Sequence, residues 1–387
     1  MGMNRNLFRI NNGILTIASG NEEVANFDFE GRILFYTKNG VMHRRSSDNS
    51  LFKLGWDQEV RTVIQLDKGE ATGIYGRCYQ MAREFPTETL NDEEKGILSK
   101  VSSRDPSWLE QDAQSIISMY STKPIMPPDQ GSAVYLELTS GAKWNRCSIS
   151  RSYSGRAIEG KDNDAFRAHI EKLKEYFGEG IKAKKGLFLG DPGALDVDQK
   201  ELLPILDGLK KDFGLPVFAA FDIFSTPKRK NMINYKDLKA HGLDRIFVFI
   251  QSGSYKVIKL FNEKINVTET LNIVNNIKDH GISVSIVVLA GMGGKRYDED
   301  HVEGSANIIS QMYLETGDMI FLSPVVEEDD PEYLKIIEKE KLGRLSPTEK
   351  VQQMERLAKS IKESFMDMNG RELTIPIVKY DLREAFF

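Results

Sequence analysis

From residue 133 onward, short apolar runs alternate with helical stretches, and this alternation limits the fold more than any other feature. Six runs have strand length, at 133–138, 186–189, 217–221, 246–250, 284–289 and 319–322. Strands separated by helices form parallel βαβ units with right-handed crossovers. Each run is apolar throughout, as expected for strands covered on both faces. The pattern predicts an α/β fold, and periodicity alone does not separate a doubly wound sheet from a barrel.

The preceding residues follow a different pattern. Apolar runs flank Asn12-Gly13 and Asn39-Gly40, and Asn-Gly between such runs favours a tight hairpin because both turn residues need positive φ. Residues 68–120 have a helical pattern with breaks near Pro86 and Pro106. We therefore predict three regions: an accessory β-hairpin plus helical region (1–125), an α/β region (131–330), and C-terminal helices with a final strand (331–387).

Composition and charge exclude several classes of protein. The net charge of -5 disfavours a nucleic-acid partner, because phosphate binding needs a basic face. No apolar run reaches the roughly 18 residues of a membrane span, and residues 1–9 lack an apolar signal core. The only two cysteines, Cys78 and Cys147, rule out a disulfide framework and fit a reducing cytoplasm. We expect a cytoplasmic protein with a small-molecule ligand and no nucleic-acid or membrane partner.

Glycine and polar residues follow the predicted strands, at the ends where α/β proteins bind ligands. A single glycine is usual in such turns, but several polar and glycine-rich ends together favour a binding site. The predicted cofactor-binding residues are Gly190, Asp191, Gln251, Ser252, Gly253, Gly291 and Gly293. Further polar candidates are Asp222, Glu327 and His301.

The segment 134–153 begins within the first apolar run and reads Val-Tyr-Leu-Glu-Leu-Thr-Ser-Gly-Ala-Lys-Trp-Asn-Arg-Cys-Ser-Ile-Ser-Arg-Ser-Tyr. It resembles the cluster loop of radical S-adenosylmethionine (SAM) proteins, in the coproporphyrinogen-dehydrogenase-like variant with cysteines spaced C-x4-C-x2-C. The matching positions are Ala142, Cys147 and Ser150. Only the middle cysteine of the three is therefore present.

Three further segments resemble the same superfamily in the same order. Residues 188–195 are similar to its second strand, which helps to hold the SAM amino group. Residues 242–254 are similar to a fourth strand that commonly ends Glu-Ser-Gly, and residues 289–294 followed by His301 are similar to the fifth-strand loop. The resemblance covers roughly residues 131–365 and implies a partial (β/α)6 TIM-like barrel with SAM at the strand ends.

The missing cysteines bear on the chemistry that the resemblance implies. In that superfamily three thiolates hold a [4Fe–4S] cluster whose fourth iron binds SAM, because thiolates are soft, anionic donors. Ala142 offers no donor and Ser150 offers a neutral hydroxyl. We predict no [4Fe–4S] cluster on Cys147 alone, and SAM as the cofactor that could remain.

Three functions stay open. The chain is a diverged, cluster-free relative (a pseudoenzyme) that keeps a SAM- or nucleotide-like pocket, or a radical SAM enzyme whose cysteines were replaced deliberately. As a third alternative it is a non-catalytic partner of an intact radical SAM paralogue or of another protein. Ile149 stands where an aromatic residue is usual and Gln251 where glutamate is common. A deliberate cluster knockout would need neither change, so both favour natural divergence.

Overall fold

A computed structural model describes residues 6–20, 22–57, 60–121, 124, 126–140, 159–191, 193–222, 233–261, 267–325 and 331–380. By their mutual contacts the residues form two compact units. The first contains the residues up to Val134 together with Asp164–Lys185. The second contains Tyr135–Asn163 and most of the chain after Gly186. The first unit thus includes a segment that the sequence pattern assigned to the α/β region.

The first unit is built on a seven-stranded antiparallel meander in which each strand pairs with the next along the chain. Its strands are β1 (Leu7–Asn11), β2 (Ile14–Ser19), β3 (Glu23–Asp28), β4 (Ile33–Lys38), β5 (Val41–Arg45), β6 (Leu51–Asp57) and β7 (Val60–Gln65). Both predicted hairpins are confirmed. Asn12 and Gly13 have φ of 48° and 74°, and Asn39 and Gly40 have φ of 49° and 76°, as a type I′ turn requires.

Three helices follow the meander: α1 (Lys68–Arg83), α2 (Asp92–Ser102) and α3 (Pro106–Ile117). Each begins after a residue whose side chain accepts hydrogen bonds from first-turn amides, namely Asp67, Asn91 and Asp105. One face of the sheet and these helices enclose an apolar core in which Phe27 and Tyr79 are fully buried. The breaks between the helices lie where the sequence predicted them.

A fourth helix, α4 (Asn163–Phe177), belongs to the first unit by its contacts and meets a buried cluster of charges around Arg32. The guanidinium of Arg32 donates through Nε to Asp112 Oδ1 at 2.8 Å and through Nη1 to Asp28 Oδ2 at 3.2 Å. It also donates to the carbonyl of Tyr176 and lies 4.0 Å from the centre of the Tyr176 ring. Arg32 therefore joins a strand, α3 and α4 at one buried point.

The second unit contains a parallel sheet whose spatial order is β8-β11-β12-β13-β14-β15-β16. The strands of this unit are β8 (Ala133–Glu137), β9 (Thr139–Ser140), β10 (Glu159–Gly160), β11 (Gly186–Gly190), β12 (Val217–Asp222), β13 (Leu243–Gln251), β14 (Ser283–Ala290), β15 (Met319–Pro324) and β16 (Ile377–Lys379). Its helices are α5 (Gln199–Phe213), α6 (Tyr235–Ala240), α7 (Tyr255–Phe261), α8 (Val267–Asp279), α9 (Asp298–Ser310), α10 (Pro331–Lys339) and α11 (Pro347–Asn369). All six predicted strands are present, and the predicted final strand joins them as the seventh.

The strand order separates the two α/β architectures that periodicity left open. A doubly wound sheet reverses its order at a switch point, whereas a barrel adds each strand beside the previous one. Here the order follows the chain from β8 to β16, apart from the short β9 and β10, which pair with each other. The predicted α/β fold with a partial TIM-like barrel is therefore confirmed.

The two faces of this sheet carry different side chains. One face is aliphatic, with buried residues such as Ile246, Val248 and Ile286. The other face carries a row of contacting aromatic rings, whose centroids lie 5.2–6.3 Å apart along the series Tyr135, Phe188, Phe247, Phe321 and Tyr380. Phe188, Phe247 and Phe321 come from β11, β13 and β15, so the rings meet across the intervening strands. Side chains from alternate strands form such layers inside TIM barrels, which supports a curved sheet with the rings in its interior.

Candidate functional site

The carboxyl ends of the parallel strands bring most of the predicted site residues to one edge of the sheet. Gly190 ends β11, Gln251 ends β13, and Gly291 directly follows β14. The register pairs Gln251 with Val288 and Ala290 with Pro324. The sequence correctly grouped these strand ends. The predicted Ala142, Cys147, Ser150 and Glu327 lie outside the described residues, as does the side chain of Asp222.

Asp191 is fixed against the first barrel strand. Its backbone N–H donates to the carbonyl of Thr139 at 3.1 Å and approaches the Thr139 hydroxyl at 3.2 Å. Its carboxylate accepts a hydrogen bond from the hydroxyl of Tyr135, and the residue is only 2% exposed. A Cβ atom at the preceding Gly190 would overlap this Tyr135 hydroxyl. Asp191 is therefore a rigid, buried acceptor, and Gly190 is needed to admit the tyrosine.

A second buried carboxylate, Glu137, lies on the strand that carries Tyr135 and was not among the predicted residues. Glu137 is two residues after Tyr135 on β8 and therefore shares its face of the sheet. It is 1% exposed and pairs with the ammonium of Lys161. Burial of an unpaired carboxylate would be costly, and this contact compensates the charge. The signal in the sequence was a single acidic residue inside an apolar run.

The turn Gln251–Ser254 at the end of β13 has an unusual backbone. Gln251 has φ of 58°, the left-handed region that residues with a Cβ seldom occupy. The pairing register between β13 and β14 shifts between Phe249 and Gln251. Two side chains of α9 contact this turn. The Ser252 hydroxyl lies 2.8 Å from His301 Nδ1, and the Gly253 N–H donates to Ser305 Oγ at 2.9 Å. All four turn residues are buried.

His301 was a polar candidate in the sequence, and the structure places it in the interior. It is 0% exposed, and this burial lowers its pKa from 6.5 to about 4, opposed by the nearby charge of Asp298. Its Nε2 has no hydrogen-bond partner within the described chain. The imidazole is therefore neutral at physiological pH, with Ser252 as its hydrogen-bonding partner.

The loop that begins at Gly291 is held by the C-terminal helices. The Gly291 N–H donates to Gln353 Oε1 at 2.6 Å, and its carbonyl accepts from the Tyr333 hydroxyl at 2.7 Å. The ammonium of Lys350 donates to the carbonyl of Val325 at 2.9 Å. Sequence reasoning named none of Tyr333, Lys350 and Gln353, because their partners are distant along the chain.

Three of the predicted glycines have a structural reason that the sequence did not reveal. A Cβ at Gly253 would lie 2.6 Å from Ser305 Cα, one at Gly291 would lie 3.2 Å from Lys350 Cε, and one at Gly293 would lie 2.9 Å from Val257 Cγ2. Each glycine makes room for another part of the same chain. Ligand contact by these three backbones stays a prediction.

Cys78 differs sharply from a reactive thiol. It is fully buried on α1, and burial raises its thiol pKa far above the ordinary range. We expect that a Cys147→Ser chain does not react with a thiol reagent such as Ellman's reagent at pH 8 until denaturant is added. Reaction of the folded Cys147→Ser chain within minutes would contradict this burial.

Among the described residues, no group of three or more histidine, cysteine, aspartate or glutamate side chains is placed to bind a metal ion. No helix in the same part of the chain is both long and apolar enough to cross a membrane.

No family model matches the chain, and no curated protein is significantly similar to it. Solved structures do match. The cobalamin-dependent S-adenosylmethionine radical enzyme OxsB is 17% identical over 55% of this chain and 31% of its own length, with a TM-score of 0.37. A cysteine-to-serine variant of spore photoproduct lyase is 12% identical over 70% of this chain and 85% of its own, with a TM-score of 0.45.

Coproporphyrinogen III oxidase (HemN) from Escherichia coli, described as a radical SAM enzyme, is 14% identical over 65% of this chain and 55% of its own, with a TM-score of 0.42. The chain thus spans about a third of OxsB and about half of HemN. OxsB and HemN are both named as radical SAM enzymes.

Proposed function

We propose that this chain is a cluster-free protein of the radical SAM fold that binds SAM, or a nucleoside with a similar amino acid side chain, at the carboxyl ends of its barrel strands. The observation that carries the proposal is the donor set of the first-strand loop. Its three ligand positions hold Ala142, Cys147 and Ser150. One thiolate with one neutral hydroxyl does not fit a [4Fe–4S] cluster, which requires three thiolates in this loop. No step of radical chemistry is therefore assigned to the chain.

The strand-end residues support the retained pocket. Asp191 is suited to bind an ammonium group, because Tyr135 and Thr139 already fix its orientation and little entropy is lost on binding. Gln251 and Ser252 lie at the end of β13, which β12 separates from β11 in the sheet, and there hydroxyl and ring-nitrogen groups of a nucleoside could be recognised by hydrogen bonds. Without a cluster, the amino acid portion of the ligand loses its strongest anchor, so the proposed affinity is weak.

The charge of Asp191 is the most direct test of this pocket. We expect S-adenosylhomocysteine to bind the wild-type chain weakly in calorimetry, and Asp191→Asn to weaken binding about 10- to 150-fold, since a charge-assisted hydrogen bond contributes about 1.5–3 kcal/mol. The asparagine keeps the shape of the side chain and can still accept from Tyr135.

A ligand control separates loss of this charge from damage to the site. Methylthioadenosine has the same nucleoside but no amino acid portion, so Asp191→Asn is expected to leave its affinity unchanged. Tyr135→Phe, which keeps the charge, is expected to weaken S-adenosylhomocysteine less than Asp191→Asn does. Unchanged binding of S-adenosylhomocysteine by Asp191→Asn, or an equal loss for both ligands, would show that Asp191 does not hold the amino group.

A further inference from the structure

The turn at the end of β13 holds Gln251 in a conformation that it would not adopt unaided. At φ of 58° its Cβ is crowded by the backbone. Such conformations persist only where the surroundings impose them, and they concentrate at functional positions. Gln251 is buried at the strand end where the ligand is proposed to bind. The question is which residues impose this backbone.

One face of α9 contacts the three residues that directly follow Gln251. His301, Gly304 and Ser305 are separated by three and four residues, so they lie on the same side of the helix. His301 Nδ1 lies 2.8 Å from the Ser252 hydroxyl, which also accepts from the Ser254 N–H at 3.2 Å.

The other two contacts are equally close. Ser305 Oγ accepts from the Gly253 N–H at 2.9 Å. Gly304 allows the backbones to touch, since a Cβ there would lie 2.8 Å from Ser254 Cα. A Cβ at Gly253 would lie 2.5 Å from Ile308 Cγ2, one turn further along the helix. Hydrogen bonds to His301 and Ser305, together with the close approach that Gly253 and Gly304 allow, thus hold the turn directly after Gln251 against α9.

We propose that His301, Gly304 and Ser305 act as positioning residues that hold Gln251 in its left-handed conformation and so present it to the ligand. His301 does this through Ser252 and does not touch the ligand itself. This inference rests on the proposed function for the purpose of the turn, but the positioning can be measured without any ligand.

The ligand-free test is a thermodynamic cycle in thermal unfolding of the second unit. Gln251→Gly and Gln251→Ala both remove the buried side chain, but only glycine tolerates positive φ, so Gln251→Gly is expected to gain about 2–4 °C in Tm over Gln251→Ala. In a His301→Leu background the turn can relax, so glycine is expected to give no gain over alanine. His301→Asn can still hydrogen-bond to Ser252 and is expected to restore the gain.

The control is Lys341, an exposed residue that also has a left-handed backbone, with φ of 52°. Lys341→Gly is expected to raise Tm equally in the wild-type and His301→Leu backgrounds. Equal gains from Gln251→Gly in both backgrounds would overturn the positioning role.

The ligand test uses S-adenosylhomocysteine in calorimetry. His301→Leu and Gln251→Ala are each expected to weaken binding about three- to tenfold. The double variant should bind no worse than the weaker single variant, and His301→Asn should bind like the wild type. An equal and independent loss from each substitution would contradict action through Gln251.

The two tests separate two failures. If the wild-type chain binds no S-adenosylhomocysteine while the thermal cycle is coupled, the proposed function fails and the positioning stands. If the ligand binds while the substitution at Gln251 gives the same gain in Tm in both backgrounds, the proposed function stands and the proposed positioning role is wrong. If the cycle is coupled but His301→Leu leaves affinity unchanged, Gln251 is not presented to this ligand and the inference is overturned.

Discussion

Replacing Arg32 with methionine is expected to destabilise the first unit by about 3–5 kcal/mol, the usual cost of removing one partner from a buried ion pair. The guanidinium contacts Asp28 and Asp112, and the side chains of all three residues are less than a tenth exposed. Methionine has a side chain of similar length but no charge, so the two carboxylates lose the positive charge of Arg32. It also removes the link from Arg32 to Tyr176 on α4. Equilibrium unfolding in urea measures the difference.

A surface ion pair of the same unit provides the control. Lys68 bonds Glu110 at 2.8 Å, but its side chain is 81% exposed. Lys68→Met is therefore expected to cost at most about 1 kcal/mol. A cost below 1 kcal/mol for Arg32→Met as well would show that the buried contact does not hold α4 to the first unit.

Protonation of His301 alone is expected to lower the free energy of unfolding of the second unit by about 3 kcal/mol as the pH falls from above 6.5 to about 4. The folded protein binds a proton at His301 only near pH 4, because burial lowers its pKa, whereas the unfolded chain binds one near pH 6.5. The unfolded state is therefore the more protonated one in this window. The free energy of the unfolded state therefore falls relative to that of the folded state as the pH decreases. The stabilising contribution of neutral His301 is fully present above pH 6.5.

Comparison with His301→Asn isolates this residue from the carboxylates that titrate in the same range. The free energy of unfolding of the wild-type chain should fall between pH 7 and pH 4 by about 3 kcal/mol more than that of the variant. Identical pH dependence for His301→Asn and the wild-type chain would mean that His301 is not buried in its neutral form.

Local signals in the sequence predicted the elements well. Asn12-Gly13 and Asn39-Gly40 specified two hairpins, because an Asn-Gly turn determines its own geometry. The six apolar runs gave six strands. The sequence did not reveal that the two hairpins belong to a seven-stranded meander or that α4 packs in the first unit. The placement of α4 involves contacts such as that of Arg32 with Tyr176, and these two residues are far apart along the chain.

The candidate site was predicted less completely than the fold. The strand-end rule correctly grouped Asp191, Gln251 and Gly291. It could not identify Gln353, which reaches Gly291 across 62 residues with no repeating pattern to indicate it. Glycine was also ambiguous, since a glycine needed for helix packing has the same sequence signal as one that admits a ligand. The single signal that could have been used was Glu137, an acidic residue inside an apolar strand.

Iron content tests most directly our proposal that this chain is a cluster-free protein of the radical SAM fold. The wild-type chain would be incubated anaerobically with ferrous iron, sulfide and a thiol reductant, then desalted and assayed for iron, sulfide and iron–sulfur absorbance. Since Cys147 is the only cysteine among the three ligand positions, we expect almost no retained iron and no cluster absorbance. Retention of about four irons and four sulfides per chain, with the matching absorbance, would contradict it.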